Sequence, residues 1–117
     1  RFVVLDPSGG ASPDEAVARG ARLLALLAAE DPELHARVSE IVVLPDGFAV
    51  VDAPARLKLL LGDDALAPGR AFARWLAFLA LAPELSRHGL LPREVDLRFE
   101  NRIVLKAPGP EAARSDT

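Results

Sequence analysis

The chain has 117 residues, of which 50% are hydrophobic and 26% are charged, and its formal net charge is −3. This length suits one domain with a real core, and the composition excludes a disordered or fibrous chain. The negative charge argues against a general nucleic-acid binder, and the absence of cysteine excludes disulfides, zinc–thiolate sites and cysteine nucleophiles.

The N-terminal third of the chain predicts a short strand followed by a long, capped helix. Phe2–Leu5 is a short apolar run, and the Ser-Gly-Gly segment after it is typical of a turn. Ser12 can cap a helix that has Pro13 at its first position and apolar residues at helical spacing as far as Leu27. A second capped start predicts one or two further helical turns over Pro32–Arg37.

The middle of the chain changes to the pattern of β-strands. Three apolar runs predict a meander: Ile41–Leu44, Phe48–Val51 and Arg56–Leu61. A Pro-Asp-Gly turn separates the first two runs, and we expect a positive φ at Gly47 in that turn.

A second long helix is predicted between Gly69 and Ala82. Its apolar stripe has four members at helical spacing: Phe72, Trp75, Leu76 and Leu79. The stripe places Trp75 in the core rather than on a surface that binds a partner. We expect Arg70 and Arg74 on a solvated face and the end of the helix at Pro83.

The C-terminal part predicts two further strands. Val95, Leu97 and Phe99 alternate with charged residues, and this alternation leaves open whether Phe99 lies in the core or faces a partner. After a tight turn, Arg102–Lys106 is the last strand, and residues 108–117 are expected to fray. The whole pattern predicts an α+β fold in one domain over residues 1–107. Its mixed, mostly antiparallel sheet comprises the meander and a C-terminal hairpin, with the helices packed on one face.

The residues that could support catalysis or bind a metal form no recognisable site. We expect both histidines, His35 and His88, in exposed positions, and no serine lies in a nucleophile elbow. Asp63 and Asp64 lack the ligand spacing of a calcium loop and are more simply interpreted as a turn. We therefore predict no catalytic residue, no metal ligand and no cofactor. A small metal-dependent enzyme that uses Asp63, Asp64 and His88 is the least favoured alternative.

The last predicted strand has two possible roles. If Arg102–Lys106 lies at the edge of the sheet, the backbone groups along one of its sides are unpaired. Such an edge is either protected against aggregation, here by Arg102 and Lys106, or used as a template to which a partner adds a strand. The periodicity alone leaves both roles open.

The segment Glu94–Phe99 reads Glu-Val-Asp-Leu-Arg-Phe, and a short turn and a final strand follow it. It resembles the closing (V/I)-D-L-R-(F/Y) signature of the FtsQ/DivIB cell-division proteins. The preceding elements agree with that family in order: the Ser-Gly-Gly turn and helix, the meander around Pro45–Phe48, the strand and glycine of Lys58–Gly62, and the helix that carries Trp75. The resemblance covers Val3–Ala107.

The resemblance implies the extracytoplasmic (periplasmic) β domain of a single-pass protein of the bacterial inner membrane, located at the division septum. A transmembrane helix and a POTRA domain would precede it, and the start at Arg1 rather than Met suggests an excised piece. The apolar runs of this chain are far shorter than the roughly 20 residues that a bilayer core requires. The family is non-enzymatic. It is a divisome scaffold that binds FtsB, FtsL and other divisome proteins and helps control septal peptidoglycan synthesis.

The resemblance also implies a binding site at the last strand, where FtsB adds a strand and contacts a neighbouring helix. The matching positions are the aromatic residue after Asp-Leu-Arg, the following turn and strand, and a basic residue before the meander: Phe99, Glu100, Asn101, Arg102, Ile103, Val104 and Arg37. The family has small residues where this chain has Arg102 and Ile103, so we expect different pocket chemistry. A POTRA-like periplasmic peptide-binding or chaperone module is the alternative function.

Overall fold

The computed structural model describes residues 4–6, 12–67, 70–90, 92–99 and 103–106. These residues form an α+β fold with three α-helices and a mixed, mostly antiparallel open sheet, which confirms the predicted fold class. In chain order the elements are β1 (Val4–Asp6), α1 (Pro13–Glu30), α2 (Pro32–Arg37), β2 (Val38–Leu44), β3 (Gly47–Asp52), β4 (Leu57–Gly62), α3 (Arg70–Arg87), β5 (Glu94–Asp96) and β6 (Val104–Lys106). A short 3₁₀ helix, Asp63–Leu66, connects β4 to the segment before α3. The turn predicted around residues 7–10 and the tail predicted for 108–117 lie outside the described residues.

The spatial order of the strands follows their order in the chain, β1-β2-β3-β4-β5-β6. The meander β2-β3-β4 and the pair β5-β6 are antiparallel, whereas β1-β2 and β4-β5 are parallel. Parallel neighbours require a crossover, and helices supply both: α1 and α2 connect β1 to β2, and α3 lies between β4 and β5. The helical connections therefore lie at the two places where neighbouring strands run parallel.

One face of the sheet carries the core. The register aligns Ile41, Val50, Leu59 and Val95 across four strands, and all four are buried in one cluster with Leu23 of α1 and Trp75 of α3. Directly opposite residues of neighbouring strands point to the same face of a sheet, so both long helices pack on that one face. The opposite face includes the charged residues Lys58, Glu94 and Lys106 in neighbouring register positions.

The structure confirms that Trp75 is a core residue and corrects three expectations about α3. The helix continues through Pro83 to Arg87, because the leucine at position 85 still packs against the core beyond the proline. Leu76 is 46% exposed, and Phe78, at 3%, takes its place in the buried stripe. Arg74 is not solvated, because its side chain is largely buried in an ion pair with Asp64.

Gly47 is required for a different reason from the one expected. Its φ is not positive, since Gly89 is the glycine with a positive φ among the described residues. A Cβ at Gly47 would instead lie 2.1 Å from the carbonyl oxygen of Leu61 on β4. The close approach of two backbones, rather than the turn geometry, therefore excludes a side chain at this position.

Candidate partner-binding edge

Strand β6 lies at one end of the sheet and pairs with β5 alone among the described strands. The register places Val104 opposite Asp96, Leu105 opposite Val95 and Lys106 opposite Glu94. The predicted last strand, Arg102–Lys106, is thus observed over Val104–Lys106, and Arg102 lies outside the described residues. A strand in this position exposes one row of backbone groups that no described strand pairs with.

The hydrogen bonds of β5 identify which backbone groups of β6 face outward. Lys58 N donates to the carbonyl of Arg93 (3.0 Å), and Leu97 N donates to the carbonyl of Leu60 (2.9 Å). Along a strand, the N–H and C=O groups of successive residues point alternately to the two neighbouring strands. Val95, midway between Arg93 and Leu97, therefore points its backbone groups toward β4, and Glu94 and Asp96 point theirs toward β6. The residue of β6 opposite Val95 is Leu105, so its N–H and C=O point away from β5.

The side chains of this edge divide between the two faces. Leu105 and Ile103 are partly buried and pack against the core, whereas Val104 lies opposite Asp96 on the other face. Lys106 is half exposed, and its Nζ is 2.8 Å from a carboxylate oxygen of Glu94. Of the two cations expected to protect this edge, Arg102 and Lys106, the lysine is therefore already paired within the domain.

The Asp-Leu-Arg segment places its three side chains by strand alternation. Leu97 is fully buried in the core, and Asp96 is buried on the opposite face. The guanidinium of Arg98 donates two hydrogen bonds to the Asp96 carboxylate, Nε to Oδ1 at 2.9 Å and Nη2 to Oδ2 at 2.6 Å. The backbone N–H of Arg98 donates a third bond to Oδ1 at 3.0 Å. Asp96 thereby stabilises the chain where it leaves β5 toward β6.

These hydrogen bonds determine the ionisation of the pair. The Arg98 side chain holds the pKa of Asp96 below its usual value, even though burial of the carboxylate acts in the opposite direction. The same hydrogen bonds raise the pKa of Arg98. The fork geometry is the one in which a guanidinium binds a carboxylate most strongly. A Cβ built on Gly62 would lie 3.9 Å from Cγ of Arg98, so the arginine side chain extends over the end of β4.

Phe99 follows this segment and is 38% exposed, whereas Val95 and Leu97 are fully buried. The question left open by the alternation is thus answered: Phe99 lies at the surface rather than within the core. It lies three residues after the end of β5, at the last described position before Ile103. The turn residues assigned by the resemblance, Glu100 and Asn101, lie outside the described residues.

Arg37 lies far from this edge. It ends α2 directly before β2, and four strand spacings separate β2 from β6, a distance of about 19 Å at about 4.8 Å each. Arg37 Nε donates to Oδ2 of the fully buried Asp52 at 2.9 Å. Trp75 Nε1 donates to the same oxygen at 3.3 Å, and Ala55 N donates to Oδ1 at 3.2 Å. The structure does not bring Arg37 together with the other assigned residues, and it gives this side chain a role in the core.

The carboxylates weighed for metal binding are held by arginines. Asp63 pairs with Arg19 of α1 at 2.7 Å, and Asp64 pairs with Arg74 of α3 at 2.6 Å. His88 lies beyond the far end of α3, an 18-residue helix that is about 27 Å long. In the part of the chain that the structure describes, no three histidine, aspartate or glutamate side chains are grouped to hold a metal ion.

Both buried carboxylates were missed at the level of sequence. Asp52 begins an Asp-Ala-Pro segment that is typical of a turn, and Asp96 stands at a polar position of the alternation in its strand. A signal existed only for Asp96, because an arginine two positions later lies on the same face of a strand. The partners of Asp52 are 15 and 23 residues away, and no local pattern indicates them.

None of the helices in the described part of the chain combines the length and the hydropathy that a membrane span requires. Comparison of the chain with protein-family profiles, with curated proteins and with solved structures finds no match.

Proposed function

We propose that this chain is an extracytoplasmic divisome domain of the FtsQ/DivIB type, which captures a strand of FtsB or FtsL on β6. In this proposal the domain is a non-enzymatic scaffold that uses no cofactor. It acts at the division septum, on the periplasmic side of the inner membrane, and helps control septal peptidoglycan synthesis. The observation that carries the proposal is the outward-facing backbone of Leu105 at the end of the sheet.

Strand addition at β6 has a clear physical basis. A partner strand would receive backbone hydrogen bonds from β6, and its alternate side chains would lie on the two faces of the extended sheet. On the helix-covered face these side chains would meet Ile103 and Leu105, which are apolar and only partly buried. We expect a partner segment with alternating apolar residues, and an acidic residue near Arg102 would add electrostatic steering, since Lys106 is already paired with Glu94.

The test distinguishes the contribution of the backbone N–H groups of β6 to binding from the contribution of its side chains. By the alternation in β6, the N–H of Ile103 faces outward like that of Leu105, so Ile103→Pro removes an outward donor. The matched control Ile103→Ala removes most of the side chain but keeps the N–H. Calorimetry would measure binding of the extracytoplasmic segments of FtsB and FtsL from the same organism to the 117-residue chain and to both variants.

We expect saturable binding that Ile103→Pro weakens at least tenfold relative to Ile103→Ala. Equal affinity of the two variants would contradict strand addition, since only one of them retains the donor. Thermal unfolding of both variants checks that the sheet is intact. Binding of many unrelated extended peptides with similar affinity would instead favour the POTRA-like peptide-binding or chaperone module.

A further inference from the structure

A second surface lies away from β6, in a cleft of about 490 Å³ beside the C-terminal half of α3. The turn between β3 and β4 and the segment after α3 form its other walls. The side chains that line its floor are apolar: Leu57, Phe78, Leu79, Ala82, Leu85 and Leu90. Such a volume can accommodate a few large side chains of a bound molecule.

Leu90 is held in place at this cleft although it is 53% exposed. Helix α3 ends at Arg87, Gly89 two residues later has a φ of +73°, and the N–H of Leu90 donates to the carbonyl of Leu85 at 2.9 Å. This is the Schellman arrangement, in which a hydrophobic contact commonly accompanies the hydrogen bond. The exposure of Leu90 therefore belongs to an ordered helix end and not to a loose loop.

The rim of the cleft is positively charged. Arg56 and Arg93 line it, and the lining includes no carboxylate. Neither arginine forms an ion pair with a carboxylate of the described residues. Arg56 also has a φ of +52°, which is uncommon for any residue other than glycine, asparagine or aspartate. The β3–β4 turn thus presents an arginine in an unfavourable backbone conformation beside an apolar floor, as is found at binding sites.

The backbone around the cleft restricts the form of the occupant. Leu57 pairs with Asp52, and the next residue of β4 donates its N–H to the carbonyl of Arg93. An extended peptide would find no free strand edge there, and its own backbone groups would lie unpaired over apolar side chains. A helix satisfies its backbone internally, so only its side chains need partners.

We propose that this cleft binds an acidic amphipathic helix of a partner protein. Apolar side chains at helical spacing enter the cleft, and carboxylates beside them pair with Arg56 and Arg93. The proposal is independent of strand addition at β6, because it uses none of the residues of that edge.

The test uses two synthetic helical peptides with the same leucine positions, one flanked by glutamates and one by lysines. Each is titrated into the isotope-labelled 117-residue chain, and amide NMR shifts locate the site. We expect the glutamate peptide to shift the amides of Leu57, Leu85 and Leu90 and to bind at least tenfold more tightly than the lysine peptide. Its affinity should fall as salt is added.

Two sets of variants test the charged rim and the apolar lining of the cleft separately. The double variant Arg56→Glu and Arg93→Glu should reverse the preference between the peptides, whereas Arg22→Glu, at an exposed position of α1, should leave it unchanged. Leu90→Ser should weaken both peptides, and Leu81→Ser, which changes an exposed leucine of α3 outside the cleft, should not.

Four results would overturn the proposal. Equal binding of the two peptides, or shifts confined to β6, would remove the charged cleft as the site. Concentration-dependent shifts without peptide would assign the cleft to a second copy of the chain. The chain has no cysteine, so a spin label at Ser115→Cys is unique. Broadening of the Leu90 amide by that label in dilute protein would assign the cleft to the chain's own C-terminus.

Discussion

Two buried carboxylates, Asp52 and Asp96, occupy opposite faces of the sheet and are stabilised in different ways. Asp52 lies on the helix-covered face, where Arg37 and the Trp75 indole bind its carboxylate. Asp96 lies on the other face, where Arg98, two residues later, supplies both its side-chain fork and a backbone N–H. The side-chain hydrogen bonds of Asp52 connect α2, β3 and α3, whereas those of Asp96 are made within three consecutive residues.

This difference indicates which part of the structure each carboxylate stabilises. Loss of the Asp52 carboxylate leaves the indole N–H of the fully buried Trp75 without its acceptor and also unpairs Arg37, so the packing of α2 and α3 on the sheet is affected. Loss of Asp96 leaves one arginine that is already 38% exposed at its side chain and can be hydrated. We therefore expect Asp52 to determine global stability and Asp96 to determine mainly the local path from β5 into β6.

The largest effect is expected for Asp52→Ala. Removing one partner of a buried ion pair typically costs about 3–5 kcal/mol in the free energy of unfolding. Because the Arg37 side chain is 30% exposed and can be partly hydrated, we expect a loss of about 3 kcal/mol. Urea denaturation measures this loss. Asp46→Ala, in the exposed turn between β2 and β3, is the control, with an expected change of under about 0.5 kcal/mol. A loss for Asp52→Ala no greater than that of the control would show that the Asp52 pair contributes nothing to stability.

A smaller effect is expected for Asp96→Ala. Hydrogen bonds to a charged group are worth about 1.5–3 kcal/mol, and hydration of the exposed part of Arg98 places the loss toward the lower end. A double-mutant cycle with Arg98→Met measures the coupling between the two side chains. If Asp96→Ala costs as much in the Arg98→Met background as in the wild type, the fork between them is not the source of the stability.

The smallest expected effect is the pH dependence of the contribution that Asp96 makes to the free energy of unfolding. Because the pKa of Asp96 is lowered in the folded state, the ionised carboxylate stabilises the fold above its unfolded pKa of about 3.9, and this stabilisation is lost as the pH falls through the folded value. The difference in unfolding free energy between the wild type and Asp96→Asn should be constant above about pH 5 and should decrease below about pH 4. A difference that stays constant down to pH 3 would contradict the lowered pKa.

Local patterns predicted most of the elements. The serine cap before Pro13 and the apolar spacing after it led to α1, and the three apolar runs led to the meander β2-β3-β4. The first two strands are longer than predicted, and the third is shifted by one residue. These features depend on neighbouring residues, so they can be read along the chain. The stop expected at Pro83 was wrong, because burial of a leucine two residues later outweighs the hydrogen bond that a proline cannot make.

The candidate sites depended less on local pattern. The sequence predicted a last strand with alternating apolar residues, but only the register with β5 and β4 shows that the N–H of Leu105 faces outward. Phe99 was compatible with either core or surface until the end of β5 placed it at the surface. The cleft beside α3 had no signature, since its walls come from three separate segments of the chain.

The sequence by itself determined the helices, the strands and the α+β class, because capping, periodicity and turn chemistry act between residues close in the chain. Only the tertiary structure decided that Arg37 binds Asp52, that two arginines meet an apolar floor, and which strand ends the sheet. Those contacts join residues that are far apart in the chain and meet only when the core forms. A polar group that the fold buries then needs a partner, whereas one that stays exposed can be hydrated.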